Sequence, residues 1–171
     1  MDRSIKFLFG EVRSEKIIAT INRVEEHIGM WAKGELFLML IVGFLNFIGF
    51  ELLRIPYALP LAILAGLLEI VPMVGPFLAA VPAVIIGFGI SFFVGIGAAA
   101  LAFLVQHLQN YFIVPNVMKK SVGLDPIVTL ISLSVGFRLQ GIAGAIIAIP
   151  VVLGLQILVK DLVLKKISVQ E

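Results

Sequence analysis

Two apolar runs, each long enough to cross a lipid bilayer, constrain this chain more than any other feature. Residues 34–55 and 91–113 each supply more than 20 consecutive, mostly apolar positions. An α-helix rises 1.5 Å per residue, so about 20 such residues span the roughly 30 Å hydrocarbon core. We therefore expect two continuous transmembrane helices. The first ends before Pro56 and the second before Pro115, because proline interrupts helical hydrogen bonding.

The composition excludes an ordinary soluble domain. Of 171 residues, 60% are apolar and 14% are charged, and the mean hydropathy is +1.12; soluble domains are about 45–50% apolar and about 25% charged. A globule of this size has too little interior to bury so much apolar surface. The net charge of +2 is too small to indicate a nucleic-acid partner, and the lack of cysteine excludes disulfides and thiolate metal sites. We predict an all-α, polytopic transmembrane helical bundle whose main partner is the lipid bilayer.

Two further apolar blocks, residues 57–90 and 126–159, are broken in the middle. The first is interrupted by "VPMVGP" at 71–76 and the second by "RLQGIAG" at 138–144. Irregular backbone survives at membrane depth only where it is buried in protein or lines a wet cavity, and paired interrupted segments mark binding sites in transporters. We predict two broken helical hairpins that meet at a wet pocket near the bilayer midplane. The residues of the break motifs are Pro72, Gly75, Pro76, Gly141, Gly144 and Pro150.

The remaining segments fit around this core. Residues 1–33 are rich in both charges and carry an isoleucine stripe at helical spacing, which predicts an amphipathic helix on the membrane surface or against a partner helix. The transmembrane domain is expected at 34–166 and a short tail at 167–171. Basic residues cluster at 3–33, at 119–120 and at 160–166. All three clusters lie on the cytoplasmic side if each broken block crosses an even number of times, so the two hairpins would form an inverted repeat.

Two charged residues flank the breaks, and each has two interpretations. Glu69 precedes the first break. Burial would favour its protonated form, whereas a nearby cation would favour its carboxylate. Such a group could exchange a proton for a cation. Alternatively, it pairs with Arg54 or Arg138 or reaches the membrane interface. Arg138 precedes the second break, where it could pair with Glu69, hold an oxygen-rich substrate with its planar fork, or snorkel to the membrane edge.

A polar cluster ends the second continuous helix. Within little more than one turn stand Gln106, His107, Gln109 and Asn110. Amides in lipid either bind helices together or line a polar path, and a histidine beside them is typical of a hydrogen-bonded structural residue. No nucleophile–base pair, phosphate-binding loop or zinc motif is present. The sequence therefore predicts neither an enzyme nor a bound cofactor, and no metal site.

Several ordered motifs resemble the autoinducer-2 exporter family, also called the PerM-like permeases. The matching stretches are residues 31–45, 55–85, 106–133 and 136–152. Their most specific elements are Pro72-x-x-Gly75-Pro76, Gln109-Asn110 with Pro115, Gly123-Leu124-x-Pro126, and Gly141-x-x-Gly144 with Pro150. The resemblance implies a multi-pass transporter of the bacterial or archaeal plasma membrane that assembles as a homo-oligomer. Some relatives are assigned export of autoinducer-2, and others exchange of sodium or lithium for protons.

The chain departs from the family pattern in three respects. Family members are about twice as long, with further transmembrane helices before the part seen here. They commonly carry Tyr where this chain has Met73, and often His where it has Asp125. The chemistry of those two positions is therefore not transferred.

We expect a secondary transporter, or its C-terminal core, that exports a small polar solute or exchanges a monovalent cation for protons. The candidate transport residues are Glu69, Arg138, Gln106, His107, Gln109 and Asn110. The alternative is an oligomeric membrane scaffold that transports nothing and whose breaks serve only assembly.

Overall fold

The computed structural model describes residues 11–72, 74–118 and 125–167, and these ranges contain helices and no strands. The predicted all-α class is confirmed. In the described part, three helical spans are long and apolar enough to cross a membrane: Ile18–Leu52, Phe92–Val117 and Ile127–Lys160. Residues 1–10 of the predicted amphipathic segment, Met73, the basic pair at 119–120 and residues 168–171 of the predicted tail lie outside the described residues.

The described chain forms two compact units. The central unit comprises residues 32–118, and the terminal unit comprises residues 11–31 together with 125–167. The core of the central unit is built from large side chains such as Phe50 and Leu61 packed against small ones such as Ala62, Ala83 and Ala98. The small residues let helices approach closely, which is how helices pack where no hydrophobic driving force between them exists.

Helix α1, Glu11–Leu52, joins the predicted amphipathic segment and the first predicted transmembrane helix in one continuous element. It ends three residues earlier than the predicted limit at residue 55. Arg54 adopts a left-handed conformation with φ 53°, Ile55 N–H donates to the carbonyl of Phe50, and Arg54 N–H donates to that of Glu51. These two hydrogen bonds form a Schellman motif, which satisfies the last carbonyls of the helix. The helix ends here because the residue before Pro56 is disfavoured in helical conformation.

The first broken hairpin consists of α2, Ala58–Leu68, and α3, Val74–Ile90, with 11 and 17 residues. Both are shorter than a spanning helix, and the break lies where it was predicted. Gly75 N–H donates to the carbonyl of Val71 at 2.8 Å and Val71 N–H to that of Leu68 at 3.1 Å. The backbone freed by the break thus finds new partners inside the protein, as lipid requires. Gly75 lies so close to the carbonyl of Leu68 that a Cβ there would overlap it.

The second continuous helix contains a widened turn that was not predicted from its sequence. Helix α4, Phe92–Leu108, begins at Ser91, whose hydroxyl accepts a hydrogen bond from Val94 N–H at 3.2 Å. A π-turn follows at Gln109–Ile113, and then α5, Val114–Val117. The helix therefore passes Pro115 instead of ending before it. Val114 N–H donates to the carbonyl of Gln109, and this wider turn relieves the clash between a proline ring and the preceding turn.

Helix α6, Pro126–Ile167, is two helical arms separated by non-helical backbone at Gln140 and Gly141. Gly141 has φ 60°, a left-handed conformation that glycine adopts without strain. The two arms contact each other at Gly136 and Gly144, where neither position has room for a Cβ. The second predicted break is thereby confirmed. Pro150 lies inside the second arm.

Candidate functional site

Glu69 is the most completely buried acid of the central unit. It follows α2 directly, it is 1% exposed, and one of its carboxylate oxygens accepts a hydrogen bond from the side-chain amide of Gln109. Gln109 is the first residue of the π-turn and is itself buried. The partner of Glu69 is therefore an amide, and Arg54, one of its two predicted partners, is exposed. The break at the end of α2 and the widened turn after α4 together bring this pair into contact.

A second acid, Glu35, is buried near the pair. It lies on α1 and is 5% exposed, one turn before Met39, whose carbonyl packs against Gly66 of α2. Sequence reasoning did not single it out, because an acid at the start of an apolar run resembles an interfacial residue. Helical spacing in the sequence places Glu35 on one face with three other residues, but it does not show whether that face meets lipid or protein. Glu35 shares one helical face with Leu38, Val42 and Asn46, all of which are buried, and this face is continuous at helical spacing.

Three buried oxygens of this cluster lack a hydrogen-bond donor among the described residues. They are Glu35 Oε1, Glu69 Oε2 and Gln109 Oε1. Leaving a buried acceptor unsatisfied costs about 1–3 kcal/mol, and more when it is charged. A cluster with three such atoms is therefore costly as it stands and gains from a positively charged or hydrogen-donating guest.

A small cavity adjoins the cluster through Gln109. Its volume is about 20 Å³, which is sufficient for one water molecule. Three amide side chains line it, those of Asn46, Gln106 and Gln109, and the rest of its wall is mainly alanine. Asn46 donates to the carbonyl of Val42 at 2.8 Å. The cavity and the carboxyl cluster thus share one residue, Gln109.

The polar cluster predicted at the end of the second helix divides into three parts. Gln109 contacts Glu69, and Gln106 lines the cavity and donates to Asn110 at 3.4 Å. His107 and Asn110 are exposed. His107 Nδ1 donates to the carbonyl of Phe103 at 2.9 Å, and its ring lies 3.9 Å from that of Phe103. Such local contacts are typical of a structural histidine.

The other predicted site residues lie at the breaks. Pro72, Gly75 and Pro76 surround the first break, and Pro76 also lines the cavity. Gly141 and Gly144 form the second break. Arg138 stands three residues before Gly141, in the terminal unit, with its side chain exposed.

The arrangement in the central unit suits the transfer of a proton or a small cation better than a bond-making reaction. It offers carboxyl and amide oxygens in a buried place beside a cavity. The described residues contain no group of three or more His, Asp or Glu side chains that could hold a metal ion.

Comparison with known proteins gives a consistent result. The family described as "AI-2E family transporter" matches residues 1–164. Three proteins of Bacillus subtilis (strain 168), whose names propose a transport function, are similar to the chain. YrrI is 29% identical over 150 residues, covering 88% of this chain and 42% of the relative. YueF is 33% identical over 148 residues, covering 86% and 40%, and YtvI is 33% identical over 138 residues, covering 79% and 36%.

The chain spans about two fifths of the length of these relatives: 42% of YrrI, 40% of YueF and 36% of YtvI. No solved structure is significantly similar to the chain.

Proposed function

The chain belongs to the AI-2E transporter family, and from this premise we propose that it is the core of a secondary transporter in which Glu69 and Gln109 carry the coupling ion. A role in membrane transport follows from the family and from the apolar spans of a multi-pass membrane protein. The finer proposal is that the protein exchanges a monovalent cation, sodium or lithium, for protons.

The observation that supports this proposal is the burial of Glu69. A carboxyl group inside a membrane protein is costly and marks an ion path or a proton relay. Glu69 is almost fully enclosed and has one hydrogen bond from a neutral amide, and its other oxygen has no donor within the described part of the chain. A carboxyl group held this way accepts a proton or a cation on its free oxygen, and the two compete for the same place.

The depth of Glu69 agrees with a transport site. The 11 residues of α2 rise about 17 Å, so Glu69 would lie near the middle of a hydrocarbon core of roughly 30 Å. Transporters of several folds bind substrate and coupling ions at this depth, where discontinuous helices end.

A second candidate function is export of a small polar solute such as autoinducer-2. The amide-lined cavity favours it, because amide groups hydrogen-bond hydroxyl and carbonyl oxygens of a neutral solute. The cavity of about 20 Å³ holds one water molecule, so such a solute would require the helices around it to separate. Cation exchange needs no such enlargement, and for this reason we favour it.

The test is transport by purified protein in sealed liposomes. We expect an outward-directed sodium or lithium gradient to drive proton uptake, followed with a pH-sensitive dye trapped inside, and we expect Glu69→Gln to abolish the flux. Glu51→Gln is the matched control, because Glu51 is an exposed acid near the end of α1; it should transport at the wild-type rate.

The outcomes separate the three functions. Autoinducer-2 efflux without ion exchange would favour the solute exporter. Vesicles that stay tight to ions and solute, with the protein folded and oligomeric, would favour the scaffold and contradict the proposal.

We also propose that the protein works as a homo-oligomer in the bacterial or archaeal plasma membrane. The relatives named above are bacterial proteins. The lipid bilayer and neighbouring subunits would together cover exposed apolar side chains such as Phe37, Leu40 and Phe44 of α1.

A further inference from the structure

We propose that Glu35, Glu69 and Gln109 form one pocket of acceptor oxygens that holds a single dehydrated monovalent cation between α1, the first break and the π-turn. The inference rests on the proposed function and specifies where the coupling ion binds. It adds Glu35, which no motif of the sequence marks.

The first support is the chemistry of the three free atoms. Glu35 Oε1, Glu69 Oε2 and Gln109 Oε1 are all buried acceptors, and none receives a hydrogen bond from the residues that the structure describes. They belong to three side chains that are each more than nine-tenths buried. Buried polar atoms are normally satisfied, so three unsatisfied acceptors in one cluster point to a guest that carries positive charge or donates hydrogen bonds, and the two acids among them favour the positive charge.

The second support is their arrangement. The amide nitrogen of Gln109 donates to Glu69, which fixes the amide oxygen of the same group beside the carboxyl. Helices α1 and α2 pack closely: a Cβ on Gly66 would meet the carbonyl of Met39. Glu35 lies one turn before Met39 and Glu69 one turn after Gly66, so the two acids lie on adjoining turns of the packed helices. The three side chains come from separate elements, and a cation among them would join α1 to the hairpin and to the π-turn.

The third support is the position of Glu69 at the C-terminal end of α2. Aligned peptide dipoles place a partial negative charge at that end of a helix, and the last turn of α2 contains no basic residue. A second acid near this end therefore adds negative charge where the backbone is already negative. Only a cation or protons can compensate it.

The number of ligands favours a monovalent ion. Calcium takes six to eight oxygen ligands, and magnesium demands an octahedral shell with several waters. The cluster offers two carboxyl groups and one amide, and the described residues contain no larger group of acids or histidines. Two carboxyl groups and one amide suit a monovalent cation, and sodium and lithium are the ions that the proposed function names.

Direct binding of sodium tests the site without transport. We would purify the 171-residue protein in detergent and exchange choline for sodium or lithium at constant pH and ionic strength. Radioactive sodium in equilibrium dialysis gives the stoichiometry. Trp31 is the single tryptophan of the chain and stands four residues before Glu35 in α1, so its fluorescence gives an independent titration at the site.

We expect one sodium ion per chain, competition by lithium, and at least tenfold weaker binding in Glu35→Gln. The substitution keeps the size of the side chain but places an N–H donor in the pocket. Glu51→Gln should bind sodium like wild type.

The opposite results would overturn the site. Absence of bound sodium and of any lithium effect on wild-type protein contradicts it, and this measurement does not depend on the folding of a variant. Equal sodium affinity in wild type and in folded Glu35→Gln contradicts the role of Glu35. Sodium-driven proton flux that needs Glu69 but is unchanged in Glu35→Gln would leave the proposed function intact and contradict the pocket. Sodium bound at the pocket without any sodium-driven proton flux would support the pocket and contradict the proposed function.

Discussion

The contact between Glu69 and Gln109 can be tested by a double-mutant cycle with methionine, which is close to both side chains in size. Each single substitution leaves one buried polar group without its partner, since Glu69 is 1% and Gln109 4% exposed. The loss of a hydrogen bond to a charged group costs about 1.5–3 kcal/mol, and of a neutral one about 0.5–1.5 kcal/mol. Replacement of both partners removes the need for the bond altogether. The double variant should therefore be less destabilised than the sum of the singles.

We expect a coupling energy of about 1–3 kcal/mol. The repulsion between Glu69 and Glu35 also disappears in Glu69→Met, but it does so on both sides of the cycle and cancels in the coupling energy. The free energy of unfolding would be measured by equilibrium unfolding in mixed micelles, followed by circular dichroism. Asn110→Met is the matched control. Asn110 adjoins Gln109 but is exposed, so this change should stay within about 0.5 kcal/mol.

Additivity would refute the contact. If the two single effects summed to that of the double variant within about 0.3 kcal/mol, the side chains would not interact in the folded protein. The pocket of acceptor oxygens would then lose the bond that places the amide of Gln109 beside Glu69.

Two backbone predictions follow from the breaks. Gly75→Ala should destabilise the protein by about 1–3 kcal/mol or prevent folding, because its Cβ would overlap the carbonyl of Leu68; Gly89→Ala in the same helix meets nothing within 4 Å and should be neutral or stabilising. Thermal unfolding would compare the two, and equal effects would contradict the tight turn. Gly141→Ala places a side chain at φ 60° and should cost about 1–2 kcal/mol, whereas Gly29→Ala, also in open space, serves as its control; a Gly141→Ala protein as stable as wild type would contradict the kink.

The breaks and the apolar spans could be predicted from the sequence because their causes are local. Proline and glycine act on the backbone wherever they stand, and the hydropathy of a segment does not depend on its neighbours. Both breaks accordingly lie at the predicted motifs around Pro72 and Gly141. The position of Glu69 beside the break could be read from the sequence, but its burial and its partner could not, because an arginine partner and a position at the membrane interface both stayed open.

The π-turn and Glu35 could not be predicted for the opposite reason. The local rule says that a helix stops before Pro115, but a helix can also widen by one residue and continue, and packing decides between the two. Glu35 lies in the same apolar run as buried residues such as Leu38. Whether that face meets lipid or protein depends on where α2 and the π-turn pack, and no sequence window contains this information.

The scaffold alternative has difficulty with the interior of the central unit. Replacement of a buried ionic group by well-packed apolar side chains is often neutral or stabilising, so a protein whose only task is assembly gains nothing from Glu35 and Glu69. Here the fold instead adds to the negative charge: the break places Glu69 at the negative end of α2. The π-turn brings an amide whose oxygen finds no donor among the residues of ranges 11–72, 74–118 and 125–167. An ion-coupled transporter can use such a site, because an ion that relieves this cost in one conformation more than in another shifts the equilibrium between the two.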